Sequence, residues 1–322
     1  MIMKSRCLAI SRAVKHGFTL IEILVATAIM ALLVLVVLGI TTNVLTSWTR
    51  ASGQLSSNLE ARVALDFLAQ DLEAAIIRRD GNQWMFIANQ AGTGNFTNFT
   101  NAVGLYFFSP VPDRPRRDSN DNIIHGDVCG ISYRLFRQNP FNPASTTTSQ
   151  TYGLYRAVVP ADATFFAMLG PGNQDDLVTL WQSSINYTRG GVAMPPVDLL
   201  EYQRSTENFL SANVADFAIT IWYIDPDTNE PTPVNGTVTN PLPLQPGDEV
   251  FIGRNMRLGE TGDPLPYPIY FDVSITILSN DGASLLRQEE TAGSVAPDRF
   301  REIVREHGNT YSRRIQLLSR PL

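Results

Sequence analysis

The chain has 322 residues, of which 44% are hydrophobic, 17% charged and 9% aromatic. That excludes a disordered or fibrous polypeptide and leaves room for one large or two modest domains. The formal net charge of -6 hides an asymmetry, because residues 1–17 carry Lys4, Arg6, Arg12 and Lys15 and no acid; residues 18–322 have 21 basic against 31 acidic side chains, a net of -10. Such a body repels phosphate backbones, so no nucleic-acid partner is expected.

Cysteine use is sparse. Cys7 lies in the basic prefix and Cys129 is alone in the body, so removal of the prefix leaves no intrachain disulfide. Cys129, between Val128 and Gly130, reads as a small buried apolar residue rather than a reactive thiol.

From Leu20 to Ile40 the sequence is apolar except for Glu22 and Thr27. Twenty-one helical residues rise about 30 Å, the thickness of a hydrocarbon core, so residues 20–40 are expected to span a membrane. Basic residues before the run and none just after it place the N-terminus in the cytoplasm and the body outside. A cleavable secretory signal fits less well: no small-residue cut site comes after the run, and the small residue, Gly17, precedes it.

The junction Lys15-His16-Gly17-Phe18-Thr19-Leu20-Ile21-Glu22-Ile23-Leu24-Val25-Ala26 resembles the N-terminal processing motif of type IV pilins and type II secretion pseudopilins. The resemblance implies that a prepilin peptidase cuts after Gly17 and methylates Phe18, and that Glu22 is the acidic residue of the assembly motif. It also implies a single-pass subunit of the bacterial inner membrane with a periplasmic body. Its partners would be other pilin or pseudopilin subunits and the assembly platform proteins, and its destination a pilus or pseudopilus. Elementary electrostatics points the same way. A carboxylate within a membrane costs ~2.5–3.5 kcal/mol and so needs a use or a partner. Cleavage would create an amine on Phe18, one helical turn before Glu22, with a reference pKa near ~8. Glu22 would then neutralise its own terminus or that of a neighbouring subunit, helped by the positive end of the helix.

Beyond the span, Leu55, Leu59, Val63, Phe67, Leu68, Leu72 and Ile76 recur mostly every four residues, predicting a helix packed on a core through residue 80, with Gly81 as its stop. A coiled-coil seam is the competing explanation, but the spacing drifts from a heptad. The expected organisation is a leader at 1–17, a helix at 18–80 and a β-rich globular domain at 81–322. Clear strand alternation occurs at 217–223 and 271–277, with Asp272, Ser274 and Thr276 on the wet side of the second. Weaker candidates are 103–109, 128–136, 152–159 and 313–318. The tandem Asn95–Thr100 reads as a loop or edge strand, and stretches 110–127, 138–150, 225–247 and 254–268 read as loops. A short helix is expected after Asp298 as its cap, stopped at Gly308. The fold class is therefore α+β, a long N-terminal transmembrane helix on an antiparallel sheet, the pilin-like layout. Leu65–Ala75, Leu265–Val273 and Arg313–Leu317 are similar to the stalk, the proline-led late strand and the closing strand of J-type minor pseudopilins.

No constellation of catalytic residues emerges, and no enzyme activity is expected. His16, His125 and His307 lack metal-helix spacing, and nucleophile-elbow and phosphate-loop motifs are missing. Gly92-Thr93-Gly94 reads as a turn, and Asp175-Asp176 and Glu289-Glu290 as solvated neighbours whose side chains point apart along strands. No cofactor is expected, with calcium the one candidate ion. Asp225, Asp227 and Asn229 place oxygens at alternate positions, and Asp118, Asn120, Asp121 and Asp127 make a second acidic loop. The first lacks the glycine and terminal acid of an EF-hand and also fits an Asx-type hairpin turn. Three functions fit these features: a minor pilin or pseudopilin acting in secretion or DNA uptake, a signal-anchored periplasmic enzyme or binding protein, and a surface adhesin.

Overall fold

A computed structural model describes residues 19–78, 83–111, 116–117, 123–124, 128–143, 150–169, 177–186, 188–189, 192–193, 196–253, 255–259, 262–293 and 295–318. The chain divides into two compact units, Met1–Ser52 and Gly53–Leu322.

Helix α1 runs over Leu20–Glu73, 54 residues, and belongs to both units. In the first unit its apolar side chains are exposed all round, with Leu20 at 81% and Leu35 at 71%. A surface of this kind is at home only in lipid or against other helices. Its hydroxyls are satisfied within the helix. Thr27 donates to the Leu24 carbonyl, Thr41 to Val37, Thr42 to Gly39 and Thr46 to Thr42, at 2.8–2.9 Å. Within the apolar run, Thr27 would otherwise be an unpaired group in hydrocarbon.

The second unit holds strands β1 (Met85–Asn89), β2 (Val103–Ser109), β3 (Cys129–Gln138) and β4 (Thr151–Val159). Short helices α2 (Leu177–Gln182) and α3 (Leu199–Arg204) come next. They are succeeded by β5 (Phe209–Ala212), β6 (Val214–Ile224), β7 (Pro231–Pro233), β8 (Glu249–Ile252), β9 (Met256–Leu258), β10 (Pro264–Leu265) and β11 (Pro268–Leu278). Helices α4 (Asn280–Ala292) and α5 (Pro297–His307) and strand β12 (Gly308–Gln316) close the chain. An eight-stranded antiparallel sheet runs β5-β4-β3-β2-β1-β8-β9-β10, and a four-stranded one β7-β6-β11-β12. With the long N-terminal helix this is an α+β, pilin-like arrangement.

The end of α1 and the inner faces of both sheets share one core. Ala61, Ala64, Leu65, Leu68, Ala69 and Leu72 of the helix meet Met85, Ile87, Leu105, Phe107, Tyr133 and Leu135 of the large sheet. Phe217, Ile219, Phe271, Val273 and Ile275 of the small sheet close the same core. Burying leucines of this kind stabilises by ~1.5–3 kcal/mol each.

The helix face differs from the expected stripe. Leu68 and Leu72 are buried, but Leu55, Leu59 and Val63 are exposed at 61%, 57% and 47%. Alanines supply much of the buried face instead, because a small side chain lets the helix approach the sheet closely. The helix also stops at Glu73 rather than near residue 80. Ile76 already donates its backbone N–H to the Phe108 carbonyl at 2.8 Å, so sheet pairing takes over from the helical ladder.

A buried ion pair pins α1 to the sheet. Arg156 holds Asp71 in a two-pronged grip, Nε to Oδ2 at 2.7 Å and Nη2 to Oδ1 at 2.9 Å, and the Tyr133 hydroxyl donates to Oδ2 at 2.6 Å. The same guanidinium lies 4.9 Å over the Phe67 ring. Burial, and next the Asp71 charge, hold the Tyr133 hydroxyl well above its ordinary pKa.

Most predicted strands appear, including 103–109 with the expected limits. In β11, Phe271, Val273, Ile275 and Ile277 are buried and Asp272 and Ser274 only partly so. The large sheet behaves differently. Every residue of β1 and β2 is buried, since Phe86, Tyr106 and Phe108 on the second face lie under Ala163, Met168, Leu177, Trp181 and Leu199. Alternation is erased when both faces are covered. Asn95–Thr100 forms no strand: Asn95 and Phe96 end a short 3-10 turn over Gly94–Phe96, and Phe96 and Phe99 plug the core from it. Asp298 is not the cap of α5: the cap is Ala296 with Pro297 at the first turn, and Asp298 pairs with Arg301 at 3.2 Å. Gly282 of α4 has a steric role, because a Cβ there would meet His307 Cβ at 2.4 Å.

The two sheets are tied by an amide–carboxylate chain. Asn89 Nδ2 donates to Asn101 Oδ1 at 3.2 Å, and the Asn101 backbone N–H and Nδ2 donate to Asp216 Oδ1 at 3.0 and 3.1 Å. Burial raises the Asp216 carboxyl from 3.8 to about 6, against the Asn101 hydrogen bonds that pull it down. A raised folded-state value means that the native protein binds this proton more tightly than the unfolded chain. The contribution to stability is therefore greatest below about pH 4 and is lost as pH rises through about 6. The shift corresponds to a loss of at most about 3 kcal/mol. In denaturant titrations at pH 4 and pH 7, Asp216→Asn is expected to lack that increment, and an unchanged pH dependence in the variant would refute the assignment.

Candidate assembly site

Gly17 and Phe18, the expected cleavage and methylation residues, lie outside the described residues. Glu22 is described, and its setting is a reciprocal cap on the first turn of α1. Its Oε2 accepts from the Thr19 backbone N–H at 3.1 Å and from the Thr19 hydroxyl at 3.3 Å, while Thr19 Oγ1 accepts from the Glu22 N–H at 3.3 Å. This is a capping box, Thr-x-x-Glu, which satisfies N–H groups that have no partner at a helix start. The pattern is readable in Thr19-Leu20-Ile21-Glu22 ahead of an apolar run, yet the charge argument singles out Glu22 alone.

The geometry gives that argument a mechanism. The cap curls the Glu22 carboxylate back to the backbone of Thr19, the residue next to Phe18. It is therefore held at the helix start, where a Phe18 amine would form, rather than extended away from it. Beside it, the small side chains of Ala26 and Thr27 leave a shallow groove bounded by Glu22, Ile23 and Met30.

Residues 12–38 match the family described as the prokaryotic N-terminal methylation motif. The chain carries a prepilin-type methylation motif. The match supports a type IV pilin or pseudopilin family, and it contains Gly17, Phe18 and Glu22. It implies processing by a prepilin peptidase and assembly with other pilin subunits. Motif and apolar helix together fit a single-pass, membrane-anchored pilin. No curated protein and no solved structure matches the chain.

The other residues singled out in the sequence are dispersed. Asp225 Oδ1 accepts the Asp227 N–H at 2.8 Å, Asp225 N–H donates to the Glu230 carbonyl at 3.0 Å, and Asn229 has φ of 56°. Asp225 thus closes an Asx turn between β6 and β7. Asp118, Asn120, Asp121, Asp127, His16, His125, Asp175 and Asp176 lie outside the described residues. Glu289 and Glu290 stand on helix α4, not on a strand, and they part there: Glu289 pairs with Arg299 at 2.8 Å, and Glu290 with Arg137 at 2.8 Å and the Tyr152 hydroxyl at 2.6 Å. Cys129 is buried in β3. Among the described residues, no three His, Cys, Asp or Glu side chains gather as a metal-binding group.

Proposed function

We propose that the protein is a minor pseudopilin, cut after Gly17, N-methylated on Phe18 and assembled through Glu22 near the tip of a periplasmic pseudopilus that serves type II protein secretion. Its role is structural rather than catalytic, its N-terminus is cytoplasmic before processing, and its body is periplasmic. The observation that carries this reading is the methylation motif, with its acid locked onto the start of an otherwise apolar helix. A second supports it: Leu55, Leu59 and Val63 form an exposed ridge of four-residue spacing on α1. Exposed ridges of this kind are what neighbouring helices cover. The minor rank rests on the J-type resemblance of Leu65–Ala75, Leu265–Val273 and Arg313–Leu317. These segments supply the α1 core face, the start of β11 and the end of β12.

The test is Glu22→Ala. Loss of the carboxylate leaves the helix apolar enough to insert, removes the partner of the Phe18 amine and loosens the cap. Membrane insertion and leader cleavage are expected to persist while incorporation into sheared fibres falls at least tenfold, read by immunoblot of fibre and membrane fractions. Unaltered incorporation would defeat the charge pairing. Copurification of the intact chain from native membranes identifies the machine, and recovery without pilin-type subunits would defeat the assignment.

A further inference from the structure

On β3, Tyr133 and Leu135 point to α1, so Arg134 and Phe136 point to the opposite face. There the buried Phe136 ring is flanked by two guanidiniums: Arg134 Cζ and Arg204 Cζ each lie 5.2 Å from its centroid. Arg204 is exposed at the end of α3, and Arg134 is half-buried. Tyr155, the cross-strand neighbour of Arg134, packs edge-on to Phe136 with centroids 5.4 Å apart.

Among the described residues, neither guanidinium of this cluster is joined to a carboxylate. Arg137, Arg156, Arg299, Arg301, Arg313 and Arg314 each pair with one. Arg134 and Arg204 are not among these pairs; the neutral Tyr106 hydroxyl lies beside Arg134. Arg134 Nε is buried without a hydrogen bond, and so is the hydroxyl of Tyr155, which faces Gln138 but forms no bond of normal geometry with it. A buried donor left unmade costs about 1–3 kcal/mol. Two cations thus converge on one ring in a body whose net charge is strongly negative. Stacking on an aromatic face leaves the guanidinium N–H fork free for a planar anion.

The rim adds an apolar contact. Gln138 Nε2 donates to the Arg204 carbonyl at 2.7 Å and Thr206 Oγ1 to the Pro140 carbonyl at 2.7 Å, which ties the Asn139–Asn142 turn to the end of α3. That turn carries Phe141, 89% exposed. We propose that this cluster is a docking site for an acidic peptide segment of another protein, its carboxylate received by Arg134 and Arg204 and an adjoining apolar side chain by Phe141. Paired arginines beside an aromatic anchor are a recurrent way of reading acidic motifs. The site lies on the body and does not depend on the processing motif, so it stands or falls separately from the pilin reading.

Fluorescence polarisation of the detergent-solubilised full chain tests it with a labelled Gly-Glu-Phe-Glu-Gly peptide, its Gln-for-Glu counterpart, and unlabelled glutarate as competitor. The acidic peptide is expected to bind at least tenfold more tightly than the neutral one, and the difference is expected to shrink in high salt. Arg204→Glu should abolish that preference, Arg134→Lys should reduce it severalfold without threatening the fold, and Arg301→Glu on α5 should leave it unchanged. Equal binding of the two peptides, no binding of either, or full binding by Arg204→Glu would overturn the proposal. Displacement by glutarate at the peptide's own affinity would also overturn it, by assigning the site to a small organic acid.

Discussion

A chain in which Gly17 is replaced by leucine is expected to retain all 17 leader residues and to stay out of any fibre. The wild-type chain extracted from the same membranes is expected to begin at N-methylated Phe18. The effect is all-or-none because cleavage changes the electrostatics of the helix start. The uncut chain places Lys4, Arg6, Arg12 and Lys15 upstream and has no amine at residue 18, so the Glu22 side chain is left with only its own cap. Membrane insertion of such an acid costs ~2.5–3.5 kcal/mol, and a cation one turn away is what offsets it. Intact-mass measurement and N-terminal fragmentation read the outcome. Recovery of wild-type protein with its leader attached, from cells with an active peptidase, would overturn the functional reading.

The second large effect is in the body. Asp71→Ala in the fragment Gly53–Leu322 is expected to lower stability by about 3–5 kcal/mol, because the Arg156 cation and the Tyr133 hydroxyl stay buried without their acceptor. Replacing the group together, as Asp71→Leu, Arg156→Leu and Tyr133→Phe, is expected to restore most of the loss, since the apolar set removes the desolvation cost along with the attraction. Arg314→Ala breaks the more exposed pair with Asp272 and should cost no more than about 1 kcal/mol. Urea unfolding tracked by near-ultraviolet circular dichroism distinguishes these cases. Equal losses for Asp71→Ala and Arg314→Ala would show that the buried pair does not hold the helix to the sheet.

Neighbour-dependent features are hard to read from the chain. Leu55, Leu59 and Val63 look like core by periodicity, but a helix with two apolar faces cannot announce which one its own domain will cover. Strands β1 and β8 leave little trace because β1 is apolar up to its final Asn89 and β8 is only four residues long, so neither offers a convincing alternation. The covering layer of α2 and α3 is built from helices of six residues each, too short for a 3.6-residue period to register. Glu289 and Glu290 go to different partners because of the helix that carries them, which composition alone does not reveal.

Local chemistry, by contrast, is legible. The basic prefix, Gly17, the aromatic Phe18, the spaced Glu22 and the apolar run are contiguous in the chain, so their meaning needs no tertiary partner. Strands such as 103–109 and 271–277 are likewise visible, because strand propensity and a covered inner face agree there. Only folding brings Asp71 to Arg156 and Asn101 to Asp216, pairs separated by 85 and 115 residues. The same is true of Arg134 and Arg204, which reach one ring from a strand and a helix. No rule of spacing extends that far. What a short stretch of backbone can do alone, cross a bilayer and cap itself, is therefore written in order along the chain; which charges meet, and which stay without a partner, is decided by how the sheets and helices pack.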